Sequence, residues 1–208
     1  MSEFFQYGEK EINYLRSKDE KLAKLIDAAG HLDREVKDDL FTSLVDSIMG
    51  QQISTAAHIT LKKRIREKFG TLTPQKTVRL TDEELKSIGI SWRKTGYIKK
   101  FAEKVVSGEF DIDSLYSMSD EDVIEALVSL NGVGQWTAEM ILTFTLKRKD
   151  VISYGDLGIR RGIMKLYNLD ELSKSKFHEI TDKFAPYRTV AALYYWHYAN
   201  PSCTLDIE

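Results

Sequence analysis

A short turn followed by a helix offers the clearest chemistry in this 208-residue chain. The turn holds Gly132 and Gly134, two residues apart within the run LNGVGQWTA. Glycines permit left-handed backbone torsions and leave nearby N–H groups uncovered. The helix predicted from Gln135 onward adds its positive dipole end at the same point, so the segment predicts a site for an anion such as a phosphate. These two glycines alone leave open the alternative of a purely structural turn.

A carboxylate further along the chain is the second chemical signal. Asp156 lies in the run Gly155-Asp156-Leu157-Gly158 and precedes LGIRRGIMKLY, a helical pattern. It is therefore predicted to be the N-cap of a helix, where the dipole stabilises a negative charge. A carboxylate held in this way can activate water or stabilise a developing positive charge. A plain helix cap is the alternative.

The elements that must position these groups are predicted to be helices. Leu40, Leu44 and Ile48 recur at a spacing typical of one helix face, and Ser17 with Glu20 has the spacing of a capping box. Strong alternation with hairpin turns is absent from the sequence, so few strands are expected.

The composition excludes several classes of protein. Hydrophobic residues make up 42% and charged residues 30%, which is typical of a globular protein and not of a disordered chain. The single cysteine, Cys203, excludes internal disulfides and four-cysteine zinc or iron–sulfur sites. We find no apolar run of the ~18–20 residues needed for a membrane span and no secretory signal. A cytoplasmic location is therefore expected, without membrane partners.

Charge is distributed unevenly along the chain. The net charge is −2, but residues 58–108 contain 13 Lys and Arg against 5 Asp and Glu, a net +8, which leaves −10 elsewhere. This basic region predicts an anion-binding face, although solvated helix faces would give the same pattern. His58 and Lys62 share one helix face and are predicted to be solvated.

Three blocks of the sequence carry a more specific signal. They are LVDSIMGQQISTAA (residues 44–57), LNGVGQWTA with the Gly-Asp-Leu-Gly run that follows it, and APYRTVAALYYWHY (residues 185–198). In this order they resemble the helix-hairpin-helix DNA glycosylases, and they are most similar to the alkylation-repair branch, the 3-methyladenine DNA glycosylase II type. The resemblance spans about residues 40–198.

The resemblance implies an all-α, two-lobed fold with the active site in the cleft between the lobes. Residues 38–148 would form a middle lobe that carries the hairpin. Residues 1–37 and 149–208 would form a second helical lobe that carries Asp156.

The resemblance also assigns roles to individual residues. Asp156 is implied as the catalytic carboxylate, and Trp136 stands where relatives that cut the DNA backbone have a Schiff-base lysine, which implies an enzyme without lyase activity. Trp136 could stack on an extruded base, and the alternative is that it is a core tryptophan. The implied base pocket also contains Trp196 and Met140, and at the Met140 position the family often has tyrosine. The resemblance further implies a wedge at Gln52 or Ile53 and a monovalent cation on the carbonyls of Val128, Leu130 and Gly132. The implied DNA-binding hairpin consists of Leu130, Gly132, Val133, Gly134, Gln135 and Thr137.

The implied function is base excision repair of damaged duplex DNA by a monomer. The enzyme would hydrolyse the N-glycosidic bond of flipped-out alkylated purines such as 3-methyladenine and 7-methylguanine. No cofactor is expected beyond the hairpin cation. The alternatives are a non-enzymatic helix-hairpin-helix DNA-binding protein, a glycosylase for oxidised or deaminated bases, and a helical interaction protein.

Overall fold

The chain is built from helices, as the sequence predicts. The computed structural model describes residues 3–37 and 39–207, and within these ranges the only β pairing is an isolated antiparallel bridge between Phe4 and Glu35. Two 3-10 helices, Asp113–Tyr116 and Asp182–Phe184, accompany the α-helices. The α-helices of the described residues are α1 (Glu9–Lys18), α2 (Glu20–Ala29), α3 (Leu40–Gly50), α4 (Thr55–Phe69), α5 (Pro74–Arg79), α6 (Asp82–Ser87), α7 (Trp92–Ser107), α8 (Asp120–Val128), α9 (Gln135–Phe144), α10 (Leu157–Tyr167), α11 (Lys174–Thr181) and α12 (Arg188–Ala199).

The predicted capping box at Ser17 and Glu20 is wrong. Helix α1 continues through Ser17, whose hydroxyl donates a hydrogen bond back to the carbonyl of Tyr14. Asp19 caps α2 instead, because its carboxylate accepts from the Leu22 N–H at 2.8 Å. Because α1 runs to Lys18, Ser17 lies inside a helix, and the extended backbone that an N-cap needs is found at Asp19.

The chain divides into two compact units. The first consists of Met1–Val36 and Leu142–Glu208, and the second of Lys37–Ile141. Segment 142–148, predicted to belong to the middle lobe, lies in the first unit because the Arg148 N–H donates to the Leu142 carbonyl and Thr189 of α12 donates to the Arg148 carbonyl. The predicted boundary positions 1, 38 and 208 lie outside the described residues.

The core of the first unit draws on both ends of the chain. Leu22 and Leu25 of α2 pack with Phe177 of α11 and with Tyr194 and Tyr195 of α12, and all five are fully buried. Burial raises the pKa of both tyrosines, so they stay neutral core residues. This core holds α10 and α12 in place, and these two helices carry Asp156 and Trp196.

Close contact between α10 and α12 depends on Gly162. A Cβ atom at this position would lie 2.1 Å from the carbonyl oxygen of Tyr195, well inside van der Waals contact. Glycine therefore lets the backbones of the two helices approach directly. This approach sets the distance between the start of α10 and the Trp196 side chain.

The second unit contains the predicted helix-hairpin-helix. Buried apolar residues of α3 pack on α7, where the rings of Phe41 and Phe101 stack with centroids 5.1 Å apart. Helix α8, a turn over residues 129–134 and helix α9 follow in the order the sequence predicts, with α9 belonging to this unit as far as Ile141. Among the described residues, no helix is long and apolar enough to cross a membrane.

Candidate functional site

Asp156 occupies the N-cap position predicted for it. Its Oδ1 atom accepts a hydrogen bond from the backbone N–H of Ile159 at 2.9 Å and another from the indole Nε1–H of Trp196 at 2.8 Å. The residue is only 7% exposed. Two donors on one oxygen of a buried carboxylate fix its orientation, which is what a catalytic carboxylate needs.

Trp196 is held in turn by an aromatic and a cationic neighbour. Its ring lies against Phe144, with centroids 5.3 Å apart. The Arg34 guanidinium lies 4.9 Å from the Phe144 centroid and 5.9 Å from that of Trp196. Trp196 therefore orients the Asp156 carboxylate, a role that the sequence resemblance does not assign to it.

The glycine after Asp156 keeps this arrangement compact. A Cβ atom at Gly158 would lie 2.8 Å from Cδ1 of Trp196 and 3.1 Å from Oδ1 of Asp156. A side chain there would displace the indole from the carboxylate. The Gly-Asp-Leu-Gly run thus supplies both the carboxylate and the space for its hydrogen-bond donor.

The two glycines of the hairpin turn in the second unit differ in backbone conformation and in the space around them. Gly132 has φ +85°, and a Cβ atom there would lie 2.4 Å from Tyr97 on α7. Gly134 lies outside the positive-φ region and nothing approaches its Cβ position within 4 Å. Helix α9 makes its first intrahelical backbone bond from the Ala138 N–H to the Gly134 carbonyl, so its positive dipole end lies at the hairpin turn.

The side chains predicted at the hairpin divide by burial. Leu130, Val133 and Thr137 are buried, so any contact of theirs with DNA would use backbone atoms. Gln135 is exposed and donates from Nε2 to Glu139 at 3.0 Å.

Trp136 is an exposed tryptophan on α9. It is 47% exposed, which excludes the alternative of a core tryptophan. Met140, one turn further along the helix, is half-buried. Both belong to the second unit, whereas Asp156 and Trp196 belong to the first. Their joint membership of one base pocket stays a prediction.

The backbone carbonyls predicted to bind a cation provide oxygen ligands of the appropriate kind. Neutral carbonyl oxygens are appropriate ligands for a hard monovalent cation, and each has two lone pairs. The Leu130 carbonyl accepts from the Val133 N–H, and the Gly132 carbonyl accepts from Gln51 Nε2. Each of these oxygens thus makes one hydrogen bond and retains acceptor capacity. The residues fit the group, and the Val128, Leu130 and Gly132 set remains a prediction.

The turn between α3 and α4 presents the two predicted wedge residues. Gln52 has φ +55°, a left-handed conformation for a residue that is not glycine, and its side chain is exposed. Ile53 beside it is also exposed. Ser54 then caps α4 by accepting from the Ala57 N–H.

His58 and Lys62 both pair with the carboxylate of Asp46; Lys62 is exposed as predicted, whereas His58 is partly buried, so the prediction that it is solvated is wrong. Nε2 of His58 lies 2.8 Å from Oδ1 of Asp46, and Lys62 and Lys37 reach Oδ2 of the same carboxylate. Burial alone would raise the pKa of Asp46, but the hydrogen bond and charge of Lys37, together with Lys62 and His58 nearby, hold this pKa below its ordinary value. Asp46 lies on a different helix, so helix periodicity alone could not reveal these pairs.

Comparison with known proteins decides the family. The model of the HhH-GPD superfamily, described as base excision DNA repair protein, matches residues 45–186, more than half of the chain. The chain belongs to the HhH-GPD superfamily of base excision DNA repair proteins. The superfamily match includes the Gln51–Ser54 turn, the hairpin and Asp156, and it ends before Trp196. The predicted all-α fold and the resemblance are thereby confirmed.

Individual HhH-GPD relatives cover most of the chain. DNA-3-methyladenine glycosylase 1 of Schizosaccharomyces pombe is 30% identical over 88% of this chain and 84% of its own length. DNA-3-methyladenine glycosylase of Saccharomyces cerevisiae is 30% identical over 78% of this chain and 68% of its own length.

Solved structures show the same HhH-GPD fold. The crystal structure of DNA-3-methyladenine glycosidase from Bacillus halodurans superposes with a TM-score of 0.85 at 37% identity, covering 96% of this chain and 93% of that one. The 3-methyladenine DNA glycosylase of S. pombe in complex with abasic DNA superposes with a TM-score of 0.78 at 29% identity, covering 90% and 95% respectively.

Proposed function

We propose that this protein is a monofunctional DNA glycosylase that hydrolyses the N-glycosidic bond of alkylated purines in duplex DNA during base excision repair. The observation that carries the proposal is the Asp156 carboxylate, which is buried at a helix start and oriented by Ile159 and Trp196. The four relatives described above are named as 3-methyladenine glycosylases or glycosidases, which supports the substrate class.

Asp156 acts on the sugar side of the scissile bond. As this bond breaks, positive charge develops on the sugar, and a fixed carboxylate stabilises that charge without reorganising. The same carboxylate can accept a proton from the attacking water. The indole N–H and the α10 amide keep it in one orientation throughout the reaction.

The substrate supplies part of the driving force. Purines methylated at N3 or N7 carry a positive charge, which weakens the glycosidic bond and makes the base a good leaving group. A single carboxylate without a strong general acid is therefore sufficient for this class of lesion. Neutral bases would need protonation to leave as readily.

Trp136 is the proposed platform for the extruded base. An exposed indole offers a negative face to a cationic methylated purine and restores the stacking that the base loses on leaving the duplex. Tryptophan cannot form an imine with the sugar, so the product is an intact abasic site.

The DNA duplex is gripped by backbone groups and local charge. The N-terminal N–H groups of α9 bind a phosphate, and a wedge from Gln52 or Ile53 fills the gap that the extruded base leaves. The cation at the hairpin carbonyls would add positive charge beside that phosphate. The protein acts as a monomer on the nucleoid.

Incubation with methylated duplex DNA tests this proposal. Mass spectrometry should identify 3-methyladenine and 7-methylguanine as released bases, with Asp156→Asn as the inactive control, and borohydride should trap no protein–DNA adduct. DNA binding without base release would favour the non-enzymatic alternative. Release of oxidised or deaminated bases instead would favour the other glycosylase class, and a trapped adduct would overturn the monofunctional assignment.

A further inference from the structure

The turn that carries the wedge residues adopts a backbone conformation that needs support. Gln52 has a positive φ of 55°, which costs a residue with a Cβ atom free energy relative to extended backbone. Such a conformation persists only where neighbouring contacts determine it. The contacts made by the residues beside Gln52 therefore show what stabilises this turn.

Gln51 fastens the turn to the hairpin. Its side-chain Nε2 donates to the carbonyl oxygen of Gly132 at 2.6 Å, across 81 positions of sequence. Gly132 is the glycine of the hairpin turn that adopts a left-handed conformation, with φ +85°. One hydrogen bond thus joins the residue directly before Gln52 to Gly132, so the wedge turn and the hairpin turn are in direct contact.

Lys94 of α7 also stabilises the turn between α3 and α4. Its buried ammonium donates to the carbonyl of Met49 at 2.8 Å and also to the carbonyl of Gln51, which satisfies the C-terminal end of α3. Burial, followed by the nearby Arg93 charge, lowers the pKa of Lys94 below its ordinary value. A charged side chain kept here despite desolvation has a specific structural task.

Helix α7 also supports the hairpin directly. Tyr97, one turn after Lys94, lies against Gly132 so closely that a Cβ atom on this glycine would be 2.4 Å from the ring. Lys94 and Tyr97 therefore hold the wedge turn and the hairpin turn on one helix, while Gln51 closes the link between the two turns.

We infer that Gln51 and Lys94 are positioning residues that couple the wedge turn to the phosphate-binding hairpin, so that base extrusion and phosphate binding use one rigid element. The inference rests on the proposed function. Phosphate binding by the hairpin alone needs only the α9 amides, but holding a wedge inside the duplex needs a turn that does not yield. Loss of the coupling reduces base extrusion and leaves the grip on undamaged duplex intact.

A double-mutant cycle on single-turnover excision is the first test. Gln51→Glu preserves the shape of the side chain but removes the N–H donor, and Gln75→Glu, on an exposed position of α5 in the same unit, is the charge-matched control. We expect Gln51→Glu to reduce the rate of excision about tenfold, which corresponds to the free energy of about one hydrogen bond. The affinity for undamaged duplex should stay within about threefold of the wild-type value. Gln51→Met serves as a neutral second variant if the glutamate variant does not fold.

The cycle separates positioning from an independent stabilising role. Because Gln51 acts through the wedge turn, Gln52→Ala should add little in the Gln51→Glu background. Effects that multiply, or a loss of undamaged-duplex affinity equal to the loss of excision, would overturn the inference. Lys94→Arg, which retains a cation for the two carbonyls, should restore most of the excision lost in Lys94→Met.

Hydrogen exchange on the protein without DNA separates failure of this inference from failure of the proposed function. In Gln51→Glu, amide exchange should accelerate together in residues 50–54 and 129–134 and remain unchanged in α10 and α12. Acceleration confined to residues 50–54 would show that the two turns are not coupled. A wild-type protein that releases no base would refute the proposed function while the exchange result still decides the coupling.

Discussion

The orientation of Asp156 comes from two groups of different origin. The Ile159 N–H is local, three residues along the chain, whereas the Trp196 indole comes from a helix 40 positions away. The local donor makes Asp156 an ordinary helix cap, and the distant one points its carboxylate in a single direction. Substitutions that affect the two separately can distinguish capping from catalysis.

Asp156→Asn should abolish most of the activity and little of the stability. The amide oxygen can still accept from Ile159 and Trp196, so the melting temperature should change slightly, but the negative charge that stabilises the sugar is gone. We expect single-turnover excision on alkylated duplex to fall by orders of magnitude with unchanged DNA binding. A rate near that of the wild type would remove Asp156 from the mechanism.

Trp196→Phe should lower excision while retaining the packing. Phenylalanine can still lie against Phe144 but cannot donate to Asp156, which loses the hydrogen bond from the indole. We expect about a tenfold decrease in the single-turnover rate, in line with a hydrogen bond to a charged group, and a small change in substrate affinity. Trp92→Phe, on an exposed tryptophan of α7, is the matched control. A loss that appears in affinity alone would contradict a positioning role.

Trp136→Ala should affect activity far more than stability. A core tryptophan loses about 3–5 kcal/mol on truncation, but a side chain that is 47% exposed should lose much less. If it stacks on the extruded base, excision of cationic lesions should fall by the equivalent of roughly 1–3 kcal/mol. Thermal melting and excision are measured on the same preparation, and parallel losses of both would argue against stacking.

At the scale of helices and turns, local sequence signals predict where elements begin. They do not predict contacts between residues that are distant in the chain. Asp156 as an N-cap and Gly132 in the hairpin follow from residue type and spacing. Arg34, Phe144 and Lys94 could not be predicted, because each acts through residues far away in the chain. The Asp46 pairs with His58 and Lys62 were missed for the same reason. Helix periodicity identifies a face but does not say what covers it.

Gly162→Ala should destabilise the first unit because two helix backbones meet there. The added Cβ atom would lie 2.1 Å from the Tyr195 carbonyl oxygen, and backbone cannot move aside as a flexible side chain can. We expect a loss of about 1–3 kcal/mol in the free energy of unfolding, with impaired excision as α10 and α12 separate. In the matched control Gly96→Ala, in the middle of α7, nothing lies within 4 Å, so stability should be unchanged or rise by up to about 1 kcal/mol. Equal effects of the two substitutions would contradict this account of the helix contact.

At the scale of the whole molecule, ion pairs join distant parts of the first unit. Lys149 pairs with Glu11 of α1, and Lys183 pairs with Asp19 at the start of α2. The N-terminal helices are thus held by charge as well as by the shared core. These pairs make the stability of the unit sensitive to acid.

Glu11 should contribute to acid unfolding in a defined pH range. The hydrogen bond from Lys149, opposed by burial and aided by the Gly8 N–H, lowers the pKa of Glu11 from 4.5 to about 2. A lowered pKa in the folded state means that the contribution is fully present above pH ~4.5 and is lost as the pH falls toward about 2. Melting temperatures measured from pH 7 to pH 3 should therefore decrease less steeply in Glu11→Gln than in the wild type. Parallel curves for the two proteins would show that this pair does not contribute.

The division of the first unit between the two ends of the chain has a consequence for its synthesis. Helices α1 and α2 are synthesised before the residues that bury them, such as Phe177 and Tyr194, which are made only after the whole of Lys37–Ile141. The hydroxyl of Tyr194 reaches the Gly30 carbonyl across 164 positions. The second unit is continuous in sequence and can fold as soon as it emerges, whereas α1 and α2 must wait with their apolar faces uncovered. The helix pair α1 and α2 is therefore the part of the first unit that waits longest for its core, and Asp156 gains its indole donor only once α12 has been made.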